Sequence, residues 1–115
     1  SLNFIKNKIK ILELNNIEII KGDVTKTIPI FFKKNLKKKI MACNFDLDLY
    51  QPYKVALPLV WKNLNKRGYI HLDEYYSLKF PGPMIAVKDF LKSANIKIKK
   101  NKTRKDEFIR CYLKK

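Results

Sequence analysis

At 115 residues, with 46% hydrophobic and 12% aromatic content, the chain can bury one core, and its composition is not that of a disordered segment. No apolar run approaches the roughly 20 residues of a membrane span, and no signal-peptide pattern opens the sequence. The 26 Lys and Arg against 10 Asp and Glu give a net charge of +16, which admits an anionic partner. Arg is scarce, however, and no aromatic-basic module of the ribonucleoprotein kind occurs. The charge therefore reads as solvation of a Lys-, Asn- and Ile-rich chain, and neither a nucleic-acid nor a membrane partner is expected.

In chain order, Phe4, Ile5, Ile9, Ile11, Leu12 and Leu14 recur at helical spacing, and Asn15-Asn16 breaks the pattern. Ile17, Ile19 and Ile20 form a β-branched run that ends at Gly22-Asp23, a strand followed by a tight turn. Thr25 can cap a helix bearing Ile28, Ile30, Phe31, Phe32 and Leu36, with Pro29 tolerated in its first turn. Basic Lys33, Lys34, Lys37, Lys38 and Lys39 gather at that helix's end, where cations suit its dipole.

A strand over 39–45 follows, and then a helix opened by Pro52 carrying Val55, Ala56, Leu59, Val60, Trp61 and Leu64. Gly68 stops it and a second apolar strand, 68–72, begins. Pro83 opens a helix with Met84, Ile85, Val87, Phe90 and Leu91. Strands over 96–100 and 107–113, joined by the polar stretch 101–106, suit a hairpin. The alternation predicts one α/β domain over 1–115, a mainly parallel sheet of about five strands with an antiparallel C-terminal hairpin, flanked by helices.

Cys43 and Cys111 both fall in strand-like apolar runs, which predicts buried free thiols and a cytoplasmic setting. His71 is the only histidine, so a His-rich metal cluster is excluded. The acidic residues are distributed less evenly. Asp46 and Asp48 close the first apolar strand, and Asp73 and Glu74 close the second. In an open parallel sheet, sites form beyond the carboxyl ends of neighbouring strands. Carboxylates collected there repel one another unless a cation or proton balances them. The competing reading is ordinary strand-end capping, with Asp48 capping the helix that follows.

The segments around Gly22-Asp23-Val24-Thr25, Asp46-Leu47-Asp48-Leu49-Tyr50-Gln51-Pro52 and Gly68-Tyr69-Ile70-His71-Leu72-Asp73-Glu74-Tyr75-Tyr76 occur in one order, followed by Lys79-Phe80-Pro81-Gly82-Pro83. In that order they resemble the TylF/MycF-type sugar O-methyltransferases, the macrocin O-methyltransferase family. The likeness runs from about Ile17 onward and implies a Rossmann-like class I S-adenosylmethionine methyltransferase fold, of which this chain supplies the C-terminal portion, the third to seventh strands. The glycine-rich cofactor loop is missing: Gly22, Gly68 and Gly82 are the only glycines, and no G-x-G-x-x-G occurs.

The resemblance further implies S-adenosylmethionine as cofactor, with Gly22 and Asp23 near the adenine and Asp46 beside the cofactor. It implies magnesium on Asp46, Asp73 and Glu74, and Asp48 as general base toward a hydroxylated acceptor such as a nucleotide sugar or glycoside. Gly22 and Asp23 have the alternative reading of a plain strand-to-helix turn. The rival function is a catalytically inactive basic domain that serves as a binding or interaction module, paired with a second copy or with a missing N-terminal half. With the first two family strands absent, the segment 17–21 is expected to pair directly with 39–45. That gives a five-stranded sheet in the order third, fourth, fifth, seventh, sixth; the competing arrangement has a second copy in the gap.

Overall fold

The computed structural model of the chain describes residues 1–101 and 109–115. The elements run α1 (Leu2–Ile11), α2 (Val24–Lys34), β1 (Ile40–Phe45), α3 (Tyr50–Asn63), β2 (Leu64–Leu72), α4 (Pro81–Ala94), β3 (Lys99–Lys100) and β4 (Cys111–Lys114). The sheet order is β1-β2-β4-β3. β1 and β2 are parallel, with α3 as their crossover, and β4 is antiparallel to both β2 and β3. This is the mixed α/β architecture with an antiparallel finish that the element alternation predicts, and the order fourth, fifth, seventh, sixth is reproduced.

The strand count is four, and the predicted strand over 17–20 is the correction. Residues 17–20 form no ladder with β1 or any other described strand. They lie exposed along α2, bordering a shallow cavity of about 230 Å³ with Thr27, Ile30 and Phe31, and Glu18 meets Lys38 at 3.7 Å. β-branched residues favour a strand only where a neighbour supplies the ladder bonds, and here none does. The loop predicted over 101–106 and the start of the predicted last strand fall largely on 102–108, outside the described residues. The amide of Asn101 donates to the Arg110 carbonyl at 2.9 Å on the two flanks of that stretch.

One face of the sheet makes the core. Along β2, Ile70 and Leu72 are fully buried; they pair across the ladders with Cys43 and Phe45 on β1 and with Leu113 and Cys111 on β4. Against them lie Phe32 of α2, Tyr53, Ala56, Leu57 and Val60 of α3, and Ala86 and Val87 of α4. The period of two sends Ala42, Asn44, Tyr69, His71, Tyr112 and Lys114 to the opposite face. That face carries no helix among the described residues: Ala42 and Asn44 are exposed, and the His71 Nδ1 meets the Asn44 Oδ1 at 2.7 Å. Cys43 and Cys111 are both free thiols; burial pushes Cys43 up to about 11.

α2 is capped by Asp23, one residue beyond the glycine turn, instead of by Thr25. The Asp23 carboxylate accepts from the Thr25 amide and hydroxyl, both at 2.8 Å. Those bonds hold the Asp23 carboxyl below the usual carboxylate range. Gly22 before it takes φ 141°, open to glycine and strained for other residues. α1 buries no residue, and none of its predicted apolar positions reaches the core.

Candidate active site at the ends of the parallel strands

β1 and β2 run side by side in register, Phe45 opposite Leu72, so the residues after them emerge at one edge of the sheet. The Asp73 amide donates to the Phe45 carbonyl at 3.0 Å and locks the two exits together. After β1 the chain makes a three-residue turn, closed by the Leu49 amide on the Leu47 carbonyl at 2.6 Å, with Asp48 left-handed at φ 57°. Asp tolerates that region better than most residues. α3 starts at once, at Tyr50, two residues earlier than Pro52. Its N-cap is Leu49 and no side chain caps it, so Asp48 is not spent as a helix cap. Asp46 and Asp48 precede a helix N-terminus, where the dipole favours negative charge.

The result is a convergence of three carboxylates. Asp46, Asp48 and Glu74 each offer an oxygen, and these oxygens all lie within 4.8 Å of one another. Asp46 and Asp48 are exposed, whereas Glu74 is only 6% exposed. The Glu74 Oε1 is buried with no hydrogen-bond partner among the described residues. Oε2 receives the hydroxyl of Tyr53, which projects from α3 and is itself fully buried. Burial above all, and the neighbouring Asp46, raise the Glu74 carboxyl above the ordinary glutamate range, against the opposing pull of Tyr53. Burial and Glu74 in turn push the Tyr53 phenol far upward.

Asp73, expected beside Glu74, turns the other way at the strand end and pairs with Arg110, Nε to Oδ1 at 3.2 Å. Asp23 is occupied in capping α2, with Gly22 in the turn before it, and neither forms part of the three-carboxylate group. The aromatic turn after β2 divides: Tyr75 is buried, with Tyr76 edge-on to it at 4.9 Å, while Phe80 is the half-buried N-cap of α4. Tyr53 is the residue sequence reasoning missed. It lies on the buried stripe Tyr53-Ala56-Leu57-Val60, and a phenol on such a stripe must find a hydrogen-bond partner, which is the signal that could have found it.

The three carboxylates fit a hard divalent cation: all are oxygen donors, and the orphaned Oε1 is a buried acceptor in want of a positive partner. Concavities of about 320 and 480 Å³ lie on the uncovered sheet face around Tyr69 and His71, and others of about 390 and 380 Å³ lie against α3, one beside Tyr53 and Asp89 and one beside Phe32 and Leu59; none of the three carboxylates lines any of them. Convergent chemistry locates the site better than cavity size does.

Neither a family model nor a curated protein matches the sequence. Solved structures do. The apo structure of CalS11, a TDP-rhamnose 3′-O-methyltransferase of calicheamicin biosynthesis, superposes with a TM-score of 0.70 at 29% identity, over 83% of this chain and 39% of that one. A second structure of CalS11, a calicheamicin methyltransferase, matches with the same score and identity over 83% of this chain and 36% of that one. The likeness supports a methyltransferase family for this chain. The chain spans well under half the length of the structures it matches. Among the described residues, no helix is long and apolar enough to cross a membrane.

Proposed function

We propose that this chain forms the metal- and acceptor-binding part of an S-adenosylmethionine-dependent sugar O-methyltransferase of the TylF/MycF type. The observation that carries the reading is the convergence of Asp46, Asp48 and Glu74 at the strand ends of a fold shared with a sugar O-methyltransferase. Asp46 and Glu74 would hold a magnesium ion, Glu74 from below with its buried carboxyl and Asp46 from the rim. Held there, a magnesium ion would lower the pKa of an acceptor hydroxyl bound to it and orient that hydroxyl. Asp48, exposed on its left-handed turn within the same group, takes the hydroxyl proton as general base. Asp73, tied to Arg110, shapes the rim.

S-adenosylmethionine itself does not fit this chain alone. The three glycines make no glycine-rich loop, and each packs against the chain itself: a Cβ on Gly22 would lie 2.8 Å from the Thr27 Cγ2, one on Gly68 2.9 Å from the Met41 carbonyl, and one on Gly82 2.7 Å from the Tyr50 nitrogen. The methyl donor, when bound, would supply the methyl group, and these residues bind and orient the acceptor. Calorimetric titration with magnesium and then with S-adenosylmethionine tests the reading. We expect saturable magnesium binding that Asp46→Asn abolishes, and no saturable binding of S-adenosylmethionine to this chain by itself. No magnesium binding would favour the rival, a basic domain without catalysis whose charge serves an interaction.

A further inference from the structure

We propose that Tyr53 is the positioning residue of this carboxylate site, fixing Glu74 in the orientation in which it meets Asp46 and Asp48. The inference rests on the metal reading above and adds to it a residue on which neither the acidic pattern nor the resemblance draws.

Tyr53 joins the three segments that make the site. It stands in the first turns of α3, directly after the Asp46–Asp48 turn. Its ring packs on Phe45, the last residue of β1, with centroids 5.2 Å apart. Its hydroxyl lies 2.9 Å from the Phe45 carbonyl and in contact with Glu74 Oε2 beyond the end of β2. The phenol carries one proton for these two acceptors. The Phe45 carbonyl has the Asp73 amide as a second donor at 3.0 Å, whereas the Glu74 oxygen, the closer of the two acceptors, has the Tyr53 hydroxyl as its donor.

Tyr53 is the one side-chain hydroxyl donor to Glu74 among the described residues: Oε1 has no partner, and the Asp46 side chain beside it is another carboxylate, which raises the Glu74 carboxyl instead of holding it charged. A glutamate with its flexible stem, buried to this depth and held by a single donor, takes its direction from that donor. The ring cannot swing away to release it, because Tyr53 is fully buried beside Phe45. Tyr53 touches neither Asp46 nor Asp48 in any hydrogen bond of the structure and acts only through Glu74. Hydrogen-bond partners of this kind, behind the ligands of a metal, typically account for about 10–100-fold in metal affinity.

The test uses manganese as the probe, with the 115-residue chain and electron paramagnetic resonance of free and bound ion. The expected result is binding by the wild type, loss in Asp46→Asn, and about 10–100-fold weaker binding in Tyr53→Phe with an altered bound-ion spectrum. Val60→Ala, a core truncation on the same helix, controls for destabilisation and should leave both affinity and spectrum as in the wild type. Unchanged affinity and spectrum in Tyr53→Phe, with Asp46→Asn still inactive in binding, overturns the role of Tyr53 and leaves the site standing. A wild type that binds no manganese, or an Asp46→Asn that binds normally, overturns the site reading and this inference together. If Tyr53→Phe does not fold, tyrosine ¹³Cζ resonances of the wild type serve instead. The Tyr53 signal should move on adding magnesium and stay still in Asp46→Asn; a signal indifferent to magnesium in the wild type contradicts the inference.

Discussion

Tyr53 and Glu74, 21 positions apart, meet in a buried hydrogen bond that joins α3 to the turn after β2. The bond places a carboxyl under the strand ends at depth, where an isolated glutamate would be costly. Its other oxygen is left without a partner among the described residues, toward a site already crowded with two aspartates. A cation resolves that arrangement; without one, a proton does.

The pH dependence of stability follows from this glutamate. Its folded value is raised above the ordinary 4.5, mainly by burial. The folded chain therefore holds the proton more tightly than the unfolded chain. The stabilising contribution is complete below about pH 4.5 and is lost as pH rises through the folded value. Urea midpoints of the cation-free chain should fall across that window, and Glu74→Gln should flatten the fall. Equal slopes in the two proteins would contradict the account.

Gly82 gauges how closely α4 must approach α3. A Cβ there would stand 2.7 Å from the Tyr50 nitrogen and 3.2 Å from its Cα, both backbone atoms that cannot step aside alone. The Tyr50 hydroxyl also donates to Asp89 across the same helix pair at 3.2 Å. Gly82→Ala should cost about 1–3 kcal/mol in urea unfolding, as overpacking does.

Asp73 and Arg110 form a solvent-exposed pair, with side chains 38% and 55% accessible. Arg110→Ala should change stability by less than about 1 kcal/mol. It should also leave magnesium affinity unaltered in calorimetry, because the pair lies outside the Asp46, Asp48 and Glu74 group. A large gain or loss of affinity would bring Asp73 into the metal shell that the resemblance implies.

Asp48 is assigned chemistry and Asp23 structure, and the same substitution separates them. In a longer protein that binds the methyl donor, Asp48→Asn should lower turnover by about 10²–10⁴-fold while donor affinity holds. Asp23→Asn should leave turnover and stability near wild type, since Asn caps a helix as well as Asp. A collapse of donor affinity in Asp23→Asn would instead place that carboxylate against the adenine.

Much of this architecture was legible because it depends on local pattern. The alternation of apolar strands with amphipathic helices gave α3, α4, β1 and β2, although α3 starts at Tyr50, ahead of Pro52, and β2 starts at Leu64, four residues before Gly68; the acidic residues after those strands were placed at one edge. Three features were not legible. The isoleucines at 17, 19 and 20 have strand propensity, but pairing is a property of neighbours that the segment does not state. Asp73 and Glu74 are adjacent, so they leave the strand in different directions, and which one turns inward depends on the turn that follows. Tyr53 was hidden because the apolar stripe of α3 reads equally well from Val55 and Leu59; only packing shows that Tyr53 and Leu57 face the core.

The central claim is that these three carboxylates are a metal site. A crystal structure of the chain grown with manganese, with anomalous data, tests it most directly. The account predicts an anomalous peak bound by Asp46 and Glu74 oxygens at roughly 2.0–2.2 Å, the range for a small hard divalent ion, with Asp48 beside it. No peak there at saturating manganese would contradict it.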